Sequence, residues 1–493
     1  MKGFGEDHQS KNKKEINNSK ISVNNQLLKK ALALQGKGQI FDASRCYKYL
    51  IDLGSKDAQI FSNYGTCLKE IGKFLEAKRY YQKAIELNPK YAMAYSNLGS
   101  VLSELGKLEE AEILTRKAIE LNPRYATFHF NLGCLSLNLG KLKQAELSFS
   151  RTIELKPDYV YPYYSLSLLK LSAKNNNWRK KLFSKNFLEK KTTKEKIEIY
   201  FARANILHKE KNYTLSAKNL QLANNLKLEN NPSNLDFTIR KSRLLLAETD
   251  KKEKATIKDI EKYPENIFIV GMPRSGSTLV ESIISINSKV NDLGETNILE
   301  EAFLESKRIN QKLNLMDLYS KKIISNNKGA SISTNKLLYN FQYAGIISKQ
   351  IPNAKIIHCF RNPLDNILSI YRAHFTKGNY YSSSLIDCAK VYLNQKEIMD
   401  IYKKRFPSNI YNLDYDLLVK NPNKMIRLLI KWLGWEWNDS YLSPHLNTRP
   451  VFTRSSVQVR SPINSNSIGN WRNYKKMLNT AIEVLLKNKK YQN

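Results

Sequence analysis

The chain has 493 residues, 80 Lys and Arg against 45 Asp and Glu, and a formal net charge of +35. That length points to two or three domains, and the charge selects acidic partners: nucleic acid, anionic membrane, phosphorylated cofactors or acidic peptides. Five scattered cysteines (Cys46, Cys67, Cys134, Cys359, Cys388) without CxxC spacing argue against a disulfide framework or a zinc site and fit a reducing compartment. Met1 to Asn25 lacks a signal-peptide core and no apolar run reaches membrane-spanning length, so the expectation is a soluble, cytoplasmic protein.

Residues 1–24 are Lys-, Asn- and Ser-rich and are expected to be disordered. A repeat follows over residues 25–172. Gly38, Gly72, Gly106 and Gly140 are 34 apart, as are Ala43, Ala77, Ala111 and Ala145, the asparagines Asn63, Asn97 and Asn131, and the prolines Pro89, Pro123 and Pro157. This combination is identified as the tetratricopeptide (TPR) pattern, an α-solenoid of helix pairs. Gly65, Gly99 and Gly133 then allow close helix approach, Gly72, Gly106 and Gly140 turn the chain, and the prolines start the next unit. Residues 173–263 read as a basic, divergent helical region. Ile197 to Leu228 looks like a degenerate repeat, because Asn212 and Ala217 keep the Gly-to-Ala offset of five.

The most informative stretch is Ile267-Phe268-Ile269-Val270-Gly271-Met272-Pro273-Arg274-Ser275-Gly276-Ser277-Thr278. A buried strand, a glycine-flanked loop and a helix start form an anion cradle, where free backbone N–H groups and the positive helix end converge. Gly271 and Gly276 have the spacing of a nucleotide P-loop, but Ser277 stands where a kinase or ATPase needs lysine. Further strands are expected at Lys355–Phe360 and around Asn409 to Leu413, alternating with helices as a parallel α/β sheet requires. Arg361 ends the first of these, with Ser369 eight residues on, a pair suited to gripping a second phosphate.

These segments resemble the PAPS-dependent sulfotransferases, where PAPS is 3′-phosphoadenosine-5′-phosphosulfate. Gly271 to Thr278 is similar to their 5′-phosphosulfate loop, and Phe360 to Asp365 with Ser369 to their 3′-phosphate motif. The loop arginine and Gly294-Glu295-Thr296 point to the protein-tyrosine sulfotransferase branch. The expected fold is thus a TPR solenoid followed by a P-loop-like α/β sulfotransferase domain over residues 264–480, with a basic tail at 481–493. The resemblance implies Glu295 as catalytic base, and Lys336, Arg274 and Ser455 as further catalytic groups. It assigns PAPS binding to Arg274, Ser275, Gly276, Ser277, Thr278, Arg361, Ser369, Tyr415, Ser455 and Gln458. An arginine is usual four residues past Ser369; Ala373 stands there, leaving Arg372 or His374 as substitutes.

The reaction implied moves a sulfuryl group from PAPS to an acceptor hydroxyl, most naturally peptidyl tyrosine, releasing adenosine 3′,5′-bisphosphate without a metal. The expected partners are an acidic protein or peptide acceptor and proteins held by the TPR repeats. Nucleic acid and membrane are not expected, and dimerisation stays open. Two other readings stand beside it: a TPR scaffold with an inactive sulfotransferase-like domain, and a P-loop kinase or NTPase.

Overall fold

The computed structural model describes residues 24–170, 177–251, 264–308, 314–324, 331–376, 378–447, 449, 451 and 457–488. The chain forms two compact units, one ending at Pro162 and the other starting at Tyr163. The expectation for residues 1–24 falls almost wholly outside the described residues.

The first unit consists of helix pairs. Helix 24–36 precedes Ile40–Asp52; then come Ala58–Glu70 with Phe74–Leu87, Ala92–Glu104 with Leu108–Leu121, and Ala126–Asn138 with Leu142–Leu155. Gly72, Gly106 and Gly140 turn each pair with φ of 84°, 78° and 74°, values at which a side chain costs roughly 1–2 kcal/mol. The small residues set the spacing inside each pair. A Cβ on Gly133 would sit 2.5 Å from the Phe149 ring, and one on Gly99 2.7 Å from Thr115 Oγ1. The asparagine column links neighbouring pairs: Asn131 Nδ2 donates to Ser96 Oγ at 3.0 Å and Asn97 Nδ2 to Ser62 Oγ at 3.4 Å.

The second unit opens with helices Asn177–Phe183, Thr193–Lys209, Tyr213–Asn230 and Leu235–Asp250. Thr193–Lys209 and Tyr213–Asn230 form the degenerate repeat, in a register one residue earlier than its sequence indicates. Asn212 N donates to Leu207 O, as Lys73 N does to Leu68 O, so Lys211 rather than Asn212 occupies the turn-glycine column. Its φ is 60°, and Ser216, fully buried, takes the place of the column's alanine. The spacing misled because Asn212 instead caps the second helix, accepting from Leu215 N.

The sheet has five parallel strands: β1 (Glu265–Gly271), β2 (Val290–Asp292), β3 (Ile332–Asn335), β4 (Ala354–Phe360) and β5 (Ile410–Asp414), in the order β2-β3-β1-β4-β5. β2 and β3 were not legible in the sequence; they are three and four residues long. On β1, Phe268 and Val270 face a core built with helices Ala344–Gln350 and Leu385–Arg405. Ile267 and Ile269 face the other core, with helices Ser277–Ile284 and Pro422–Leu433. All four are fully buried, each worth roughly 1.5–3 kcal/mol. The helix Lys475–Leu486 runs past residue 480 and buries Ala481 and Leu485. Among the described residues no helix is long and apolar enough to cross a membrane.

The degenerate repeat is fastened to the sheet domain by a defined hydrogen-bond chain. Arg372 donates to His208 Nε2 at 3.0 Å, and His208 Nδ1 pairs with the Tyr474 hydroxyl at 2.9 Å. That hydroxyl donates to Ser216 Oγ at 2.9 Å, which donates to Ala204 O. Burial first, and the charges of Arg372 and Lys209 next, push the His208 pKa down to about 3.

Two measurements follow from this packing. Replacing Gly133 by Leu drives a branched side chain into Phe149, and should lower the thermal midpoint of the repeat transition for a cost of about 1–3 kcal/mol. An unmoved midpoint would mean that the pair can part without loss. For His208 the unfolded ring takes up a proton below about pH 6.5 while the folded ring stays neutral, so folding stability falls with pH from there. The slope is at most about 1.4 kcal/mol per pH unit. His208→Gln, which can still accept from Arg372 and donate to Tyr474, should flatten that slope in urea titrations of the second unit between pH 4 and 7.

Candidate active site

In a parallel sheet the carboxyl ends of all strands share one edge, and ligands bind where the strand order reverses. Here the chain leaves β1 toward β3 and β2 on one side and β4 and β5 on the other, which makes the end of β1 that point. The loop there has little freedom. A Cβ at Gly271 would lie 2.3 Å from the Cys359 carbonyl oxygen of β4, and one at Gly276 2.2 Å from the Tyr415 ring. Arg274 adopts φ of 67°, a conformation that costs a non-glycine residue of order 1–3 kcal/mol.

The predicted binding residues gather around this loop. Arg274 donates through Nε to Ser369 Oγ at 3.2 Å and through its terminal nitrogen to Gln458 Oε1 at 2.6 Å. Arg361, 5% exposed, leaves β4 with its guanidinium over the Tyr415 ring at 4.8 Å and donates to Ser467 O at 3.0 Å. The Tyr415 hydroxyl meets Ser467 Oγ at 3.1 Å. Ser277 and Thr278 are buried in the first turn of Ser277–Ile284, whose N-cap, Gly276, has no side chain to occupy that helix end. Ser455 lies outside the described residues.

Electrostatics shows what this edge can hold. Burial first, then the neighbouring Arg361, lowers the Arg274 pKa to about 10. Ser275 Oγ and Arg361 Nε are buried without a hydrogen-bond partner among the described residues. Crowded guanidinium groups, an orphaned hydroxyl and an uncapped helix N-terminus together fit phosphate or sulfate groups. Among the described residues Arg372 and His374 do not join them through any hydrogen bond. Arg372 turns to His208, and His374 pairs with Glu198 at 2.9 Å while stacking on Phe201.

A second cluster stands beyond β2 and β3. Lys336, 1% exposed, donates to Glu295 Oε1 at 2.6 Å and lies 3.6 Å from Glu281 Oε2. Glu295 is half exposed, its side chain at 49%. Arg449 reaches the same Glu281 oxygen at 2.9 Å and also pairs with Asp292. The sequence reading missed Glu281, Asp292 and Arg449. Glu281 does leave a local signal, a carboxylate inside the run Val280–Ile284 in which every residue is buried. Arg449 sits in an irregular segment and leaves none. Asp365 was likewise unassigned; it accepts from Gly469 N at 2.7 Å and Trp471 N at 3.0 Å, fastening that segment beside Arg361. Asn470, partly buried, donates through Nδ2 to Asn466 O at 2.7 Å.

Residues 264–439 match the sulfotransferase family model, and residues 56–124 and 114–146 match tetratricopeptide-repeat models. An uncharacterized protein of Aquifex aeolicus (strain VF5) is 31% identical over 58% of this chain and 41% of its own length. The protein-tyrosine sulfotransferase of Drosophila melanogaster is 26% identical over 42% of this chain and 46% of its own. Protein-tyrosine sulfotransferase 1 of Danio rerio is 23% identical over 42% and 65%. The chain thus spans between about two fifths and two thirds of the length of these relatives. Among solved structures, MamA is similar at 26% identity over 28% of this chain and 81% of that one, with a TM-score of 0.26. On the family matches, this chain joins tetratricopeptide repeats to a domain of the sulfotransferase family.

Proposed function

We propose that the protein transfers a sulfuryl group from PAPS to an acceptor hydroxyl, with peptidyl tyrosine as the acceptor. The observation that carries this reading is the convergence of Arg274, Arg361 and the orphaned Ser275 hydroxyl on a glycine loop that lacks the P-loop lysine. Ser275, Gly276, Ser277 and Thr278 would hold the 5′ side of PAPS with Arg274. Arg361 and Ser369 would hold the 3′-phosphate, with Tyr415, Gln458 and Ser455 closing around the nucleotide. PAPS supplies the activated S–O bond; the chain's own residues bind it, align it and manage the proton.

In the step proposed, the acceptor oxygen forms a bond to sulfur as the bond from sulfur to the phosphate oxygen breaks, yielding a sulfate ester and adenosine 3′,5′-bisphosphate. Glu295 takes the phenolic proton. Lys336 and Arg274 balance the charge that builds on the departing oxygen. Among the described residues no group of three His, Cys, Asp or Glu side chains is placed to hold a metal ion, and none is invoked.

The same proposal divides the chain into repeats at 25–172, the divergent region at 173–263, the catalytic domain at 264–480 and a short basic tail. The repeats would hold a protein acceptor or a partner, and the acceptor would be acidic. Residues 24–162 carry 20 Lys and Arg against 14 Asp and Glu, so most of the +35 lies in the second unit and steering would come mainly from there. All five cysteines are free, in keeping with a cytoplasmic setting, and dimerisation remains compatible with the reading.

Glu295→Gln should leave adenosine 3′,5′-bisphosphate binding intact and lower kcat by roughly 10²–10⁴-fold on a tyrosine peptide. Sulfation at the wild-type rate would remove Glu295 from the chemistry. Arg361→Ala should weaken that nucleotide by about 1.5–3 kcal/mol, the worth of a charge-assisted contact. Adenosine 5′-phosphosulfate, which lacks the 3′-phosphate, should bind both proteins alike. Calorimetry that finds equal losses for the two nucleotides would show that Arg361 reads something else.

A further inference from the structure

The proposed base and the proposed cation are closed on each other: Glu295 Oε1 accepts from Lys336 at 2.6 Å. In that state the carboxylate and the ammonium are engaged with each other. Turnover needs them parted, and a lysine 1% exposed cannot go to water for another partner. Glu281 is the group within reach. It is 2% exposed, stands on the helix that begins at the phosphate loop, and places Oε2 3.6 Å from Lys336 Nζ. Its other oxygen is buried with no hydrogen-bond partner among the described residues. A buried carboxylate normally saturates its acceptors, so this one has capacity to spare.

We propose that Glu281 is a positioning residue for Lys336, an anionic second tether that holds the protonated ammonium when Glu295 is released to the acceptor. This rests on the sulfotransferase reading of Glu295 and Lys336. Arg449 keeps Glu281 in place, donating to its Oε2 and to Ser282 Oγ at 3.3 Å while pairing with Asp292. Among the described residues the charged groups around the pair are Glu295, Asp292 and Arg449, with Arg460 donating to Arg449 O behind them. The Cys359 thiol nearby stays neutral because burial raises its pKa. With Glu281 present, Lys336 has an anion on each side and need not lose its proton on leaving Glu295. Without it, the lysine has Glu295 alone, and every excursion strands a buried charge.

Glu281→Gln removes the charge and keeps the volume and an acceptor for Arg449. In full-length protein with labelled lysine, the Lys336 resonance, assigned by its loss in Lys336→Arg, should titrate about one pH unit or more lower in the variant. An unchanged titration overturns the inference. In kinetics, kcat should fall about 10- to 100-fold and the basic limb of its pH profile should move down with the lysine, while adenosine 3′,5′-bisphosphate binds within about twofold. A fall in kcat with an unmoved limb also overturns it, because a merely structural loss leaves that limb in place. Glu281→Asp, which keeps the charge, should return the limb to its wild-type pH with kcat still reduced. Should Glu281→Gln not fold, the aspartate variant decides alone, since a shifted limb there contradicts the inference. A wild-type protein that sulfates no acceptor would defeat the underlying reading, whereas the lysine titration would still decide whether Glu281 holds Lys336.

Discussion

Gly271 lies against the Cys359 carbonyl so closely that no side chain could stand there, and this approach of β1 to β4 sets the geometry of the site. Because the two strands are in register from Asn266 with Ala354 to Gly271 with Cys359, they end at the same height. The loop after β1 and Arg361 after β4 therefore emerge side by side. The parallel ladder repeats the effect across the sheet. Glu295 follows β2, Lys336 follows β3 and Tyr415 follows β5, so each of the five strands delivers one candidate residue to one edge. Residues more than a hundred positions apart meet because backbone hydrogen bonding, not side-chain attraction, brings them there.

That edge carries two charge clusters of different character. Around the loop, guanidinium groups crowd one another: burial first and then Arg361 lower the Arg274 pKa, and Arg361 stands 3.9 Å from Asp416. Around Lys336 the balance is reversed, with Glu281, Glu295 and Asp292 set against Lys336 and Arg449. The first cluster calls for an anionic ligand, and the second is suited to handling a proton next to it.

Much of this was legible because it is local. The strand, loop and helix from Ile267 to Ile284 carry their own periodicity and glycine pattern, and the 34-residue repeat announces itself through four columns. β2 and β3 were missed because strands of three and four residues give no alternation to read. Arg449 was missed because only the fold brings it to Glu281, 168 positions away. The turn of the degenerate repeat was displaced by one residue because Asn212, a cap, imitates the spacing of a turn glycine, whereas Lys211 adopts the left-handed conformation without the residue type that signals it.

The helix pair Thr193–Asn230 also bears on how such a chain can change over generations. Repeats that meet only their neighbours through a shared period are interchangeable, so duplication or loss of one leaves the joints equivalent. This pair is different. His208, Ser216 and Asn224 bond Arg372, Tyr474 and the Tyr371 carbonyl, so its outer face is shaped to the sheet domain rather than to another repeat. Its departure from the repeat pattern at Ser216 thus coincides with a contact to a fixed neighbour. Recombination could lengthen or shorten the array ahead of it, while this one pair would travel with the sheet domain.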